Sequence, residues 1–210
     1  MILKSAEKMF ALLGQDPHAF VMKGDYRKLK NRSMASLQNS SRASSRASSR
    51  GMCIHRTFFT EDLLYFCRGF KACYDKYGSL EKLFNKAGGI WEGITLFRET
   101  MAAGNEGLYS KHIANPEANS ACKRINLALR WLVRREGPVD LGLWKSISPS
   151  SLFIPLDLHV GRNARELGLL ERRANDKKAV ISLTEKLRDF CPEDPVKYDL
   201  ALFGVSASKN

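Results

Sequence analysis

The chain has 210 residues, 44% hydrophobic and 10% aromatic, enough apolar material for one core or two small lobes. Thirty-four lysines and arginines against twenty-two aspartates and glutamates leave a formal charge of +12, which favours a polyanionic partner, nucleic acid first. No window approaches the roughly 18 uninterrupted apolar residues of a membrane span, and MILKSAEKMFALLG lacks the compact apolar run of a secretion signal, so no membrane role is expected.

Ile2, Leu3, Ala6, Met9, Phe10 and Leu13 recur at steps of three and four, predicting an amphipathic first helix ended by Gly14. A second short helix is expected after Asp16-Pro17. From Asn31 the composition turns to NRSMASLQNSSRASSRASSRG, with little to bury, and residues 31–54 are read as a disordered Ser/Arg-rich insertion. The division expected is thus 1–30 as amino-terminal helices, 31–54 as the insertion and 55–210 as a helical domain. Beyond it, Thr60-Glu61-Asp62 starts a helix holding Leu63, Phe66, Cys67 and Phe70, and Gly78-Ser79 turns the chain into Leu80, Leu83 and Phe84. Gly88-Gly89 breaks the run before Trp91, Ile94, Phe97 and Met101. The turn-rich Asn115–Ser120 leads into SACKRINLALRWLVRR, whose Ala121, Ile125, Ala128, Leu129, Leu132 and Val133 share one face. Further helices are expected over 158–168 and 176–190, and in the tail PVKYDLALFGV. No sustained β alternation interrupts this, and the fold class is all-α.

Cys53, Cys67, Cys73, Cys122 and Cys191 are odd in number, widely spaced and without a CxxC pair. Reduced thiols in a cytoplasmic protein fit this best, and neither a zinc set nor an iron–sulfur run is present, so no metal and no cofactor is expected.

Two segments carry chemistry. In FIPLDLHVGR an apolar run delivers the chain to Asp157, and a helix-like run begins directly after it. That places Asp157 as a helix N-cap whose carboxylate accepts first-turn N–H groups and is held ionised. Arg162 and Arg165, three apart, form a basic edge. An ordinary capping aspartate remains the competing reading, and His159 alone reads as structural. In the second segment, Lys123 lies off the apolar face of its helix, on a row with Leu127, Arg130 and Arg134. It is either part of a solvated basic stripe or, buried in a cleft opposite Asp157, an amine with lowered pKa able to attack carbon.

The stretches SACKRINLALRWLVRR, VDLGLWKSISPSSLFIPLDLHVGRNARELGLL and DPVKYDLALFG resemble an uncharacterised, DUF2400-like bacterial family related to the helix-hairpin-helix DNA glycosylases, nearest the archaeal 8-oxoguanine DNA glycosylases. PLDLHVGR is similar to the endonuclease III segment in which an aspartate opens a helix beside the abasic sugar. The resemblance covers about residues 56–207. It implies a helix-hairpin-helix glycosylase-like helical bundle acting on damaged duplex DNA, with an oxidised purine flipped into a pocket between two helical lobes. It makes Asp157 the catalytic aspartate that stabilises the oxocarbenium-like sugar, with His159 in support. Lys123 becomes the catalytic lysine that attacks C1′, forms a Schiff base and permits β-elimination. Arg124, Arg130, Arg162 and Arg165 are the implied DNA-phosphate contacts. Trp131, Trp144 and Phe153 are read as core packing ahead of base stacking. The implied protein is a nucleoid-associated monomer. Where endonuclease III relatives have a glycine-rich, phosphate-holding hairpin, this chain has Asn115–Ser120 with no glycine. Relatives also begin with additional helices, so the resemblance implies either a shortened or a misannotated version of the family's chain, with amino-terminal helices missing. The rival expectation is a non-catalytic helical nucleic-acid-binding protein with the same charge.

Overall fold

The computed structural model describes residues 2–27, 29 and 51–207, and among these described residues the fold is all-α apart from one small hairpin. Helix α1 spans Ile2–Leu13 and ends at Gly14, whose φ of 82° no side chain has to tolerate and whose N–H reaches Phe10 O at 2.9 Å. Helix α2, Pro17–Lys23, starts as Asp16-Pro17 predicts: Asp16 Oδ1 accepts the Ala19 N–H at 2.8 Å, and Pro17 occupies the first helical position. Strands β1 (Cys53–His55) and β2 (Phe58–Phe59) then pair antiparallel. The expected disordered segment is therefore too long at its far end, because Cys53 and Ile54 lie in β1 and Ile54 is buried. Residues 31–50 of that segment lie outside the described residues. Helix α3, Thr60–Tyr77, is fixed at its start by the Asp62 carboxylate, which accepts the Phe59 N–H at 2.8 Å.

Helices α4 (Leu80–Ala87), α5 (Ile90–Ala103), α6 (Lys123–Val133), α7 (Leu158–Glu166), α8 (Lys177–Phe190) and α9 (Asp199–Ala207) follow, with 3-10 turns at Pro149–Ser151 and Pro195–Tyr198. The chain divides into two compact units, residues 1–79 with 99–110 and residues 80–98 with 111–210, so the boundary expected near residue 54 does not separate them. The first unit is built on Leu12, Val21, Tyr26, Leu29, Ile54, Leu63 and Cys67. Within it, Gly104 lies so close to α3 that an added Cβ would fall 2.9 Å from both Arg68 O and Ala72 Cβ. Gly104→Ala is expected to destabilise the protein by about 1–3 kcal/mol, because backbone cannot yield as a side-chain tip does. Urea unfolding checks this, and an unchanged midpoint would contradict it.

The second unit buries Ile94, Leu129, Ile154, Leu156, Val160, Val180 and Leu183. Here α9 packs on α7, and α8 packs on the Pro195–Tyr198 turn. The Asn115–Ser120 turn is tied to the start of α8: Ser120 bridges Asp176, Asn119 O accepts the Lys177 N–H at 3.0 Å, and Asn119 Nδ2 donates to Asp176 Oδ2 at 2.9 Å. Asn119 and Cys122 adopt the left-handed region, with φ of 59° and 48°. Trp144 is buried against Phe84 (ring centroids 5.5 Å) and Phe153 packs on Trp91 (5.1 Å), as core packing requires, whereas Trp131 is exposed.

Candidate lysine–aspartate site

Asp157 is the N-cap of α7: its extended backbone (φ −120°) turns Oδ1 onto the His159 and Val160 N–H groups, both at 2.9 Å. Two first-turn donors and the positive end of the helix dipole therefore fix one carboxylate oxygen. The other oxygen, Oδ2, lies 3.8 Å from Lys123 Nζ. Lys123 is the first residue of α6, and the left-handed turn at Cys122 directs the chain into it. The two side chains share an open cavity of about 390 Å³, lined also by Lys111, His112, Arg124, Leu158 and Asn175. That volume falls in the roughly 300–1,000 Å³ range of small-molecule sites. The Lys123 side chain is 39% exposed and that of Asp157 25%, so the burial expected for the lysine is only partial.

The loop before α8 holds this arrangement, and sequence reasoning missed it. Asn175 Nδ2 donates to Asp157 O at 3.1 Å, while Asn175 Oδ1 accepts from Arg165 Nη2 at 2.6 Å. Arg165 also donates to Arg172 O and Arg173 O, each at 2.8 Å. Arg165 is therefore not the DNA-facing member of a basic edge, because its hydrogen bonds are made to the protein's own loop. Gly161 makes the contact possible: a Cβ there would fall 2.5 Å from Asn175 Oδ1 and 3.0 Å from Arg165 Nη1.

Arg130 also departs from expectation. It is 1% exposed and lies between Asp140 (Nη2 to Oδ1, 3.5 Å) and Asp199 (Nη1 to Oδ2, 3.6 Å), so no phosphate can reach it. Arg134 continues the cluster, bound to Asp140 and, at 2.8 Å through Nε, to Asp194. The buried face of α6 is thus Asn126, Leu129, Arg130 and Val133, rotated from the face read in the sequence, and Ile125, Ala128 and Leu132 are only half-buried. Arg124 and Arg162 remain exposed, the latter 4.0 Å from Glu166 across one helical turn. His159 is exposed too. Its backbone N–H serves Asp157, and its ring meets Phe203 edge-on at 5.7 Å. Cys122, beside Lys123, is buried and its thiol pushed up by that burial, which leaves it a neutral neighbour rather than a competing nucleophile.

Asp199, the buried partner of Arg130, is a further ionisable group of this unit. Burial pushes its carboxyl up from 3.8 to about 6; the Arg130 and Lys123 cations pull it down, while Asp157 and Asp140 add to the rise. A folded-state value above the unfolded one means that the native protein holds this proton more tightly. The resulting stability is fully present below about pH 4 and is lost as pH rises through about 6, on the order of 3 kcal/mol for a shift of this size. Urea unfolding of the wild type and Asp199→Asn between pH 4 and 7.5 should show the wild type losing ground to the variant across that window. A pH-independent difference would contradict it.

The fold and site define an all-α protein in which a lysine and an N-cap carboxylate meet in a cavity lined by further cations. The chain matches the family described as "Protein of unknown function (DUF2400)" over residues 1–208, and it belongs to that family. No curated protein and no solved structure matches it. Among the described residues no helix is long and apolar enough to cross a membrane, and no three His, Cys, Asp or Glu side chains cluster as a metal set would.

Proposed function

We propose that this chain is a DNA N-glycosylase with abasic-lyase chemistry, related to the helix-hairpin-helix glycosylases and acting on a damaged, flipped base, an oxidised purine in the first instance. The observation that carries the reading is the Lys123 amine 3.8 Å from the Asp157 carboxylate in one open cavity. A carboxylate fixed by two backbone donors supplies negative charge where the sugar becomes cationic. The lysine supplies the nucleophile. As the C1′–N bond breaks, its electron pair leaves with the base, which takes up a proton. The free amine of Lys123 forms the new bond to C1′, and opening of the sugar ring gives the iminium. Loss of a C2′ proton then expels the 3′-phosphate. Lys111 and Arg124 line the cavity and Arg162 stands exposed on α7, giving the DNA backbone cations to meet. The excess positive charge of the chain supports the same partner.

The test is incubation with duplexes carrying 8-oxoguanine, uracil or an abasic site, followed by borohydride. Base release from a lesion and a protein–DNA adduct stable to denaturation are expected. Salt-sensitive DNA binding with neither base release nor adduct on any duplex would replace this reading with that of a non-catalytic nucleic-acid-binding protein.

A further inference from the structure

Lys123 opens α6 and Asp157 caps α7, and neither helix by itself sets the 3.8 Å between the amine and Oδ2. Two consecutive residues at the start of α8 reach both segments. Asn175, which lines the same cavity, donates from Nδ2 to Asp157 O at 3.1 Å and accepts from Arg165 Nη2 at 2.6 Å. One orientation of the amide serves both partners, because a carbonyl accepts and a guanidinium donates. Asp176, the N-cap of α8, serves the other segment. Its Oδ1 accepts the Ala179 N–H at 3.0 Å and Arg172 Nε at 2.8 Å, while its Oδ2 accepts Asn119 Nδ2 at 2.9 Å. Asn119 returns a second bond, its carbonyl accepting the Lys177 N–H at 3.0 Å, and Ser120 pairs with Asp176 as an antiparallel bridge. Only Ala121 and Cys122 then separate Ser120 from Lys123, and Ser120 Oγ accepts the Cys122 N–H at 3.3 Å.

We propose that Asn175 and Asp176 are positioning residues that form one clamp on the reacting pair: Asn175 holds the start of α7, Asp176 holds the turn that enters α6, and the peptide bond between them fixes the spacing of Lys123 and Asp157. Adjacent Cα atoms stay about 3.8 Å apart across a trans peptide, so the two grips cannot drift independently. The ion pair does not supply this order itself. Lysine carries its charge on a flexible stem, and an exposed pair contributes too little to hold two side chains in one geometry. The use of the clamp in catalysis rests on the glycosylase reading, whereas the spacing it sets does not.

A zero-length carbodiimide, which joins a lysine amine to a carboxylate where the two touch, reads that spacing in the full chain without catalysis. The Lys123–Asp157 amide, mapped by mass spectrometry of the digest, is expected from the wild type, and its absence would overturn the proposal. Asn175→Asp keeps the shape and an acceptor for Arg165 but loses the donor to Asp157 O. Asn119→Gly keeps the left-handed backbone and removes the side-chain bond to Asp176. Each should lower the amide yield by roughly three- to tenfold, the population change that about one lost hydrogen bond produces, with the helical circular dichroism of the wild type. An unchanged yield in either folded variant would overturn the proposal. In single turnover at saturating DNA the same variants should slow base release by about 10–100-fold with affinity within about threefold, since a misplacement of about 1 Å costs up to 10²-fold. A wild-type rate, or a loss confined to affinity, would also overturn it. If the wild type releases no base from any lesion, the glycosylase reading fails, and the cross-link still decides whether the clamp sets the pair.

Discussion

Lys123→Gln is expected to abolish the borohydride-trapped adduct, because the amide has no nucleophilic nitrogen to form the iminium. The fold should survive: an exposed pair such as Lys123–Asp157 contributes about 1 kcal/mol at most. Asp157→Asn separates the charge of that residue from its capping role. Asparagine caps helices as well as aspartate does, so it can still accept the His159 and Val160 N–H groups while removing the negative charge beside the sugar. Base release should fall by roughly 10²–10³-fold, the usual loss when one preorganised electrostatic partner of a transition state is removed. Single-turnover base release on the preferred lesion, with circular dichroism to establish folding, checks both variants. A folded Lys123→Gln that still yields adduct would move the nucleophile elsewhere. An Asp157→Asn enzyme at wild-type rate would leave that residue as a cap and nothing more. The double variant should be less impaired than the product of the single effects, since the two groups act on one transition state.

The second large effect concerns stability. Arg130→Leu removes the cation shared by Asp140 and Asp199 and leaves both carboxylates in the interior, Asp140 with Arg134 and Asp199 without its anchor. Breaking a buried pair by deleting one partner costs about 3–5 kcal/mol, because the remaining charge has lost its compensation. The urea midpoint should drop accordingly, and adding Asp199→Asn to Arg130→Leu should recover part of the loss. If Arg130 were instead a surface phosphate contact, the substitution would leave stability within about 0.5 kcal/mol and weaken DNA binding. The two outcomes are opposite in both measurements.

Much of the local structure was legible in the residues. Asp16-Pro17, Gly78, Gly88 and Asp157 each mark a helix end through side-chain or backbone chemistry that acts within a turn or two, so their effects can be read without the rest of the fold. Strands β1 and β2, three and two residues long, are too short to show an alternation. The face of α6 was misread for a different reason. Arginine at position 130 reads as solvated by default, and only the carboxylates of Asp140 and Asp199, brought in from other segments, make its burial tolerable. Arg165 follows the same logic, its donors being taken by the carbonyls of Arg172 and Arg173 rather than left to solvent.

By itself the sequence determined the helices, the cap at Asp157 and the chemical types present at 123 and 157, because these depend on periodicity and on groups within one helical turn. Only the tertiary structure decided that Lys123 faces Asp157, that Asn175 and Gly161 hold the aspartate's backbone, and that Arg130 and Asp199 lie inside. Each of those facts depends on segments distant in the chain meeting in space, where burial changes what a charge costs and which partner can offset it.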